Sequence, residues 1–324
     1  MQEVFAWGCM NIEHGDERAF SIAVSGVFHE RDTHHGMATQ RVAVSGSARR
    51  PTVGVVTVTY NSAPYFQKFA ESLEAQTVAP DLVLLVDSGS LDPSFLDQLE
   101  QDRMPVTVIR ESNVGVCMGN NIGWRKLRTF DYVLFLNPDA FLTPAFIEDA
   151  VAYMEANPDV GMLTPSLLRY DLVAGIPLNI VDTTGVIRNT LGLLKERDQG
   201  RDVSTLDRYI VPNVIPWLCT AVALGRREAM EAVIEHGNQL FDESFFMYKD
   251  DTDLSWRVRR AGWKIVHHPG LLGYHCRGWQ DRKSASRKAR LLTARNEIKM
   301  SIKNHSPFVL TALIKYMLVK LVNL

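Results

Sequence analysis

Tyr132-Val133-Leu134-Phe135-Leu136 is an unbroken apolar run that stops at Asn137-Pro138-Asp139. A run of this kind, without alternation and rich in Val, Leu and Phe, fits a strand covered on both faces. Pro138 has no N–H to give to a ladder, so the strand ends there. A strand buried on both sides needs strand neighbours and helices above and below, which restricts the chain to a layered α/β fold. It also delivers one carboxylate, Asp139, at the carboxyl end of a central strand, the edge where open α/β sheets bind ligands. An acid there also serves as a turn former or as the N-cap of the next helix.

The surrounding sequence repeats the pattern. Val53–Tyr60 reads as a first central strand, β-branched throughout. Asn61-Ser62-Ala63-Pro64 follows with capping residues and a helix-starting proline. Tyr65, Phe66, Phe69 and Leu73 then recur at helical spacing. Asp81–Val86 is a second strand ending at Asp87-Ser88-Gly89-Ser90, followed by a short helix from Phe95 to Gln101. Val106–Ile109 is a third strand, and a Gly-rich segment after Asn113 opens a helix reaching Arg128. Another helix runs from Pro144 to Ala156. Strands alternating with helices predict a parallel, doubly wound sheet with right-handed crossovers. From Val160 to Pro216 the signals weaken, and 188–207 reads as a polar surface excursion. Arg226–Glu235 and Leu254–Ala261 read as helices, the second closed by Gly262, and Trp263–His267 and Leu271–His275 as two strands.

Composition adds exclusions. A net charge of -2 over 324 residues gives no basic excess that would suit nucleic acid. Cys9, Cys117, Cys219 and Cys276 are far apart and form no metal-type pair, which fits reduced thiols in a cytoplasmic protein. The first residues lack the charged start and apolar core of a signal peptide. Residues 1–50 read as a loose N-terminal extension, or as a small subdomain built on Ala19–Phe28, and 51–281 as the main domain. Residues 282–324 form a tail that is basic from Arg282 to Lys303, with Glu297 almost its only acid, then apolar from Pro307 to Val322. Lys315 and Lys320 interrupt the apolar part, which is too short to span a bilayer, for which about 20 residues are needed. The tail suits a membrane surface, with Phe308, Leu310, Leu313, Met317 and Leu321 dipping in; the alternative is a helix packed on its own domain or on a second subunit.

Three loops should share the carboxyl edge of the sheet: Thr59–Ser62, Asp87–Ser90 and Asn137–Asp139. Their Asp and Asn side chains suit the hydrogen-bonding edges of a base and the hydroxyls of a sugar. Gly115, Gly119 and Gly123 fit neither a Walker loop nor the dinucleotide fingerprint. With no P-loop lysine, a divalent cation on a carboxylate is the economical way to neutralise a diphosphate.

Thr59-Tyr60-Asn61-Ser62, Asp87-Ser88-Gly89-Ser90, Asn113-Val114-Gly115 with Gly119-Asn120-Asn121-Ile122-Gly123, Asn137-Pro138-Asp139 and Asp250-Asp251-Thr252-Asp253-Leu254 stand in the order seen in family 2 inverting glycosyltransferases. The resemblance covers Pro51–Trp279 and is nearest to bacterial rhamnosyltransferases that build cell-envelope polysaccharides. It implies a GT-A fold, a Rossmann-like, mostly parallel sheet flanked by helices, and transfer of a sugar, L-rhamnose from dTDP-rhamnose, to a glycan or polyprenyl-linked acceptor. UDP-hexoses and UDP-galactofuranose remain alternative donors. By position, Asp87 resembles the residue that reads the base. Thr59, Tyr60, Asn61, Ser88, Asn113, Gly115, Asn120, Asn121 and Asn137 resemble the rest of the nucleotide-sugar site. Asp139 resembles the last acid of the D-x-D motif, which binds Mg2+ or Mn2+; Asn137 replaces its first acid, and His275 lies near a late His that reaches the metal, though a His in Tyr-His-Cys reads equally as a satisfied, half-buried residue. Asp251 resembles the catalytic base. Asp250 stands where the family usually has Glu, on the acceptor side. Trp217 and Trp279 are placed to stack on an acceptor sugar or to pack in the core. The Q-x-x-R-W motif of processive synthases is missing, which implies single-sugar transfer. The resemblance also implies an enzyme at the inner face of the cytoplasmic membrane, with oligomer formation left open. The rival readings are a binding module of the same fold without catalysis, favoured by Asn137, and a nucleotidyltransferase, which needs a basic Gly-rich loop that the N-terminal region lacks.

Overall fold

A computed structural model describes residues 49–98, 104–190, 192–235, 237–276 and 286–322. The expectations for residues 1–48, for Trp279 and for Arg282 and Lys283 lie outside the described residues.

The apolar run Tyr132–Leu136 forms β4, and all five of its residues are buried. It pairs in parallel with β1 (Val53–Thr59), which pairs in parallel with β2 (Leu82–Ser88), which in turn pairs in parallel with β3 (Val106–Glu111). On the other side of β4 comes β11 (Val222–Arg226), antiparallel both to β4 and to β6 (Val160–Asp171). Because β11 opposes both, β6 runs in the same direction as β4. β12 (Lys264–His275) pairs in parallel with β6. Most strands of the central sheet, in the order β10-β12-β6-β11-β4-β1-β2-β3, therefore share one direction and one carboxyl edge. The short β5 (Ala140–Leu142) and β10 (Asn213–Val214) pair antiparallel with β12, and β7 (Ile176–Thr183) pairs antiparallel with β6. Beside this sheet, β8 (Val186–Arg188) and β9 (Leu194–Glu196) form a separate hairpin.

Two apolar layers sandwich the sheet. On one face α1 (Ala63–Glu74) and α3 (Phe146–Ala156) cover Val55, Leu85 and Leu134 with Phe66, Phe69, Leu73, Phe146 and Ile147. On the other, α2 (Gly115–Leu127), α4 (Arg227–Glu231) and α5 (Asp250–Arg260) cover Val56, Val86 and Phe135 with Trp124, Met230, Leu254 and Val258.

Several expectations are revised. Only Ser94–Gln98 of the expected Phe95–Gln101 helix is described, and it is a 3-10 turn. Val160–Asp171 is one long buried strand, hidden from sequence reading by Gly161 and Pro165. Pro165 lies opposite His268, where a register shift interrupts the β6–β12 ladder and no N–H is demanded of it. The two strands expected over 263–275 are one strand broken by that same irregularity. The helix expected over 226–235 is only Arg227–Glu231.

The tail is not a detached appendage. Helix α6 (Arg287–Lys303) buries Ala294, Asn296, Glu297, Met300 and Ser301, and α7 (Val309–Val322) packs on α6. Residues 49–324 cluster as one compact unit. Phe308, expected to face a membrane, instead lies under the Arg188 guanidinium, 4.6 Å from ring centre to Cζ, and against Gly192. No described helix is long and apolar enough to cross a membrane.

Candidate functional site

Four loops leave the carboxyl edge of the parallel strands and meet there. After β1, Asn61 adopts a left-handed conformation with φ 52°. Its N–H donates to Ser90 Oγ at 2.8 Å, and its Oδ1 accepts from Leu91 N–H at 2.9 Å, so the loops after β1 and β2 are tied together. Ser62 does not cap α1 as its position suggests; its hydroxyl accepts from Tyr60 N–H instead. Asp87, 2% exposed at the end of β2, accepts from Thr59 Oγ1 at 2.9 Å, Ser90 Oγ at 2.5 Å and Ser90 N–H at 3.1 Å. Thr59 and Ser90 thus fix the orientation of the carboxylate, which retains acceptor capacity on Oδ2. Tyr60 and Asn113 stand exposed at the rim.

Ser88 connects this loop to α2. Its hydroxyl accepts from the N–H groups of Val114 and Gly115 at 3.0 and 3.1 Å, satisfying donors that no helix turn can use. Gly115, with φ 79°, has Phe246 directly over it; a Cβ would lie 2.7 Å from the Phe246 carbonyl oxygen. That carbonyl accepts from Cys117 N–H at 3.1 Å. The glycine spacing expected to admit a ligand thus admits protein, and Gly119 and Gly123 sit against Val58 and Val56 of β1. Asn121, expected at the donor site, is fully buried: its amide donates to Phe241 O and Glu243 Oε1, and its oxygen accepts from Leu240 and Phe241 N–H. It clamps the 240–243 loop to α2, and its hydrogen-bonding capacity is spent there. Asn120 is buried beside it.

The loop beyond Phe246 carries the acids. Phe246, Tyr248 and Lys249 have φ of 63°, 71° and 68°, values that cost side-chain-bearing residues about 1–3 kcal/mol each and cluster at functional sites. Asn296 of α6 holds this conformation by donating to the carbonyls of Phe245, Met247 and Tyr248 at 2.9, 2.8 and 3.1 Å. Asp250 and Asp251 then open α5. Burial pushes both carboxyls above the usual range. The charge of Asp251 pushes Asp250 up further; for Asp251, Lys249 pulls back down and Glu196 of β9 pushes up. Asp253, two residues on, is committed to Arg257 at 3.0 Å, Lys303 at 2.9 Å and Asn304 at 2.7 Å.

At the end of β4, Asn137 N–H is held by Ala221 O, and Asp139 stands partly exposed. Ala140, the next residue, pairs in register with His275 at the end of β12. His275 Nε2 lies 3.3 Å from Asp139 Oδ1, and Nδ1 lies 2.9 Å from Asp182 Oδ2 on β7. Burial alone would lower the imidazole, but Asp139 and Asp182 outweigh it and push it up to about 10. Burial raises Asp139 and the His275 charge more than compensates, leaving it below the usual carboxylate range. A divalent cation fits this donor set. A metal-ligating histidine characteristically gives its second ring nitrogen to a carboxylate, which is the place of Asp182. Among the described residues no group of three or more His, Cys, Asp and Glu is placed to hold a metal ion, so Asp139 and His275 would supply only part of its coordination. Mg2+-type sites are usually finished by waters and substrate phosphates. By contrast, His267, which is fully buried, is satisfied by Ser166 and Asn213 and held neutral by burial, its pKa lowered to about 3.

Trp217 does not present a stacking face. It is 7% exposed, lies 5.7 Å from the Trp256 ring centre and carries the Arg188 guanidinium at 5.5 Å. Packing, not a sugar, occupies it. Sequence reading missed Asp182, whose signal was an acid set inside the apolar strand Ile180-Val181. It also missed Lys249 and Asn296, which carried no local signal.

A family model described as "Glycosyl transferase family 2" matches residues 54–233. An N-acetylglucosaminyl-diphospho-decaprenol L-rhamnosyltransferase of Mycobacterium tuberculosis is 29% identical over 242 residues, covering 68% of this chain and 75% of the relative. An uncharacterized glycosyltransferase of Haemophilus influenzae is 30% identical over 112 residues, 34% of this chain and 37% of its own. Among solved structures, GalNAc-T7 with UDP, GalNAc and Mn2+ superposes with a TM-score of 0.59 at 16% identity, covering 78% of this chain and 48% of that one. A mannosyltransferase from Pyrobaculum calidifontis with GDP-Man and Mn2+ gives 0.54 at 20% identity, covering 81% and 69%. These neighbours carry the same GT-A sheet. The match of the family model to more than half of the sequence makes this chain a transferase of glycosyltransferase family 2.

Proposed function

We propose that the enzyme moves one L-rhamnosyl unit from dTDP-rhamnose to a hydroxyl of a polyprenyl-diphosphate-linked glycan during cell-envelope polysaccharide synthesis, with inversion at the anomeric carbon. The observation that carries the reading is the continuous set of contacts from Asp87 to Asp250-Asp251: Ser88, next to Asp87 in the chain, accepts from the N–H groups of Val114 and Gly115, Phe246 packs over Gly115 and accepts from Cys117 N–H, and the strained turn after Phe246 leads into Asp250-Asp251. The choice of donor and acceptor follows the mycobacterial relative, whose name specifies rhamnose and a diphospho-decaprenol acceptor. UDP-hexoses and UDP-galactofuranose are the alternative donors.

In this reading Asp87 accepts from the base, with Tyr60, Asn61 and Asn113 at the rim. Asp139 and His275 hold Mg2+ or Mn2+, which when bound neutralises the leaving nucleoside diphosphate. Asp251 takes the proton of the acceptor hydroxyl as its oxygen attacks the anomeric carbon, and the bond to the diphosphate oxygen breaks on the opposite face. Asp250, more deeply buried, is held above the usual carboxylate range by burial and by the charge of Asp251, and burial with the charge of Glu196 keeps Asp251 basic. Outside the catalytic edge, Leu310, Leu313, Ile314, Met317, Leu318 and Leu321 expose an apolar stripe on α7 at i, i+3, i+4, i+7, i+8 and i+11 spacing. We assign this stripe to the membrane surface where the lipid-linked acceptor resides, so the enzyme is peripheral at the inner face. Leu313→Asp with Met317→Asp should abolish sedimentation with anionic vesicles at low salt; undiminished binding removes α7 from that role.

Incubation with dTDP-rhamnose, Mg2+ and a lipid-diphosphate acceptor tests the function. Acceptor-dependent release of dTDP supports it, and Asp251→Asn should lower the rate by about 10²–10⁴-fold with donor affinity kept. Tight donor binding without release for any acceptor would instead make the chain a binding module.

A further inference from the structure

Lys249 acts on Asp251 by its charge, but its ammonium contacts nothing in the site just described. It precedes Asp250 in a left-handed conformation, φ 68°, and is half-buried. Among the described residues its ammonium makes no hydrogen bond or ion pair, although it lies within electrostatic range of Glu297, Lys315, Asp251 and Glu196. Keeping a lysine half-buried without a direct partner costs free energy, and burial pulls its pKa down. The backbone strain at this position adds to that cost. Glu297, 1% exposed, is engaged through Oε2 by Lys315 of α7 at 2.5 Å, and its buried Oε1 makes no hydrogen bond, to Lys249 or to any other described residue.

The position is informative. Lys249 stands two residues before Asp251, and the Tyr248 carbonyl just before it is held by Asn296, the neighbour of Glu297 on α6. Glu297 takes Lys315 of α7, the helix whose exposed residues form the apolar stripe. Asp251, Lys249, the Glu297–Lys315 pair and the stripe are thus connected in that order. A lipid-linked acceptor has its parts in the same sequence: a reacting hydroxyl, a diphosphate and a hydrocarbon chain. A compact, strongly hydrated ammonium is suited to a phosphate oxygen as a point charge.

We propose that Lys249, assisted by Lys315, forms the subsite for the acceptor's diphosphate, distinct from the donor diphosphate at Asp139 and His275. The inference rests on the proposed lipid-linked acceptor. It explains why a cation is left without a protein partner next to an acid that acts on the acceptor. It also makes the enzyme discriminate between acceptors by their phosphate and not only by their sugar.

Two measurements test it. The first uses binding alone, so it stands even if the assigned donor is wrong. Farnesyl diphosphate and farnesol are titrated against the full chain with Mg2+ and saturating dTDP to fill the donor site. The wild type should prefer the diphosphate, and Lys249→Met should lose about tenfold or more of that preference, as expected for one charge-assisted contact. Lys249→Arg should keep most of it, and Lys315→Gln should lose part. The second is kinetic, comparing a diphosphate-linked acceptor with an alkyl glycoside of the same sugar. Lys249→Met should lower the ratio of the two kcat/KM values about tenfold, with the donor KM unchanged. A Lys249→Met variant that binds both farnesyl compounds as the wild type does overturns the subsite. So does an equal loss on both acceptors, which would mean that Lys249 serves only to tune Asp251.

Discussion

Replacing Asn296 by alanine tests whether the C-terminal helices belong to the catalytic apparatus. Asn296 is 2% exposed, sits on α6 and donates to three carbonyls of the loop that ends at the candidate acids Asp250 and Asp251. An amide nitrogen has two N–H groups, so one of the three bonds is shared. Each buried acceptor left without a donor costs about 1–3 kcal/mol. The Tyr248 carbonyl, beside exposed side chains, regains water most readily. Taking the other two in the lower part of that range, about 1–2 kcal/mol each, the net loss is about 2–4 kcal/mol, within the stability of a folded domain, which is about 5–15 kcal/mol. At about 2–4 °C per kcal/mol for a domain this large, Tm should drop by roughly 5–15 °C with the fold intact. The larger effect should be on rate. Phe246, Tyr248 and Lys249 are held at positive φ, and without the clamp they relax and move Asp251. A displacement of about 1 Å at a reacting group costs about 100-fold. We expect kcat to fall by that order at temperatures well below the melting transition, with the donor KM little changed. The assays are thermal melting by circular dichroism and steady-state nucleoside diphosphate release. A variant melting several degrees lower but with kcat within about twofold of wild type would refute the link between α6 and the catalytic loop. The same contacts predict that truncation before α6 inactivates the enzyme and does not merely release it from membranes.

Two further outcomes follow. Asp182→Asn weakens the carboxylate behind His275, and such outer partners are worth about 10–100-fold, so the Mn2+ concentration for half-maximal activity should rise by that factor; an unchanged Mn2+ titration removes His275 from the metal. Glu196→Gln removes a negative charge that raises Asp251. The base works deprotonated, so a lower Asp251 pKa moves the acidic limb of the kcat/KM profile to lower pH, and a limb that moves up contradicts the assignment.

The sheet was legible because each parallel strand is covered on both faces and so appears as a continuous apolar run. Tyr132–Leu136 and Val53–Thr59 announce themselves in this way. The edge loops follow from the strand ends, and so the positions of Asp87 and Asp139 at the carboxyl edge are legible, whereas Asp251, at the start of α5, is pointed to only by the family motif. What sequence hides is pairing over distance. β6 is masked by Gly161 and Pro165, which are tolerated because the ladder is irregular opposite His268. Asn121 resembles a ligand-binding asparagine in its motif, yet the 240–243 loop, some 120 residues away, takes all its capacity. The tail appears basic in one dimension. In three, Lys303 is neutralised by Glu235, Asp242 and Asp253, and Lys315 by Glu297, so much of its charge is internal. Trp217 shows the same limit from the other side, since nothing in its neighbours in sequence says that Arg188 and Trp256 cover it.

In the proposed reaction one sugar passes directly from nucleotide to acceptor, with Asp251 taking the acceptor proton. The anomeric configuration of the first product formed from dTDP-rhamnose, read by NMR before any secondary reaction, tests it most directly. The account predicts a single added sugar whose configuration is inverted relative to the donor, formed by the wild type and not by Asp251→Asn. A product with retained configuration, or one formed at the wild-type rate by Asp251→Asn, would contradict it.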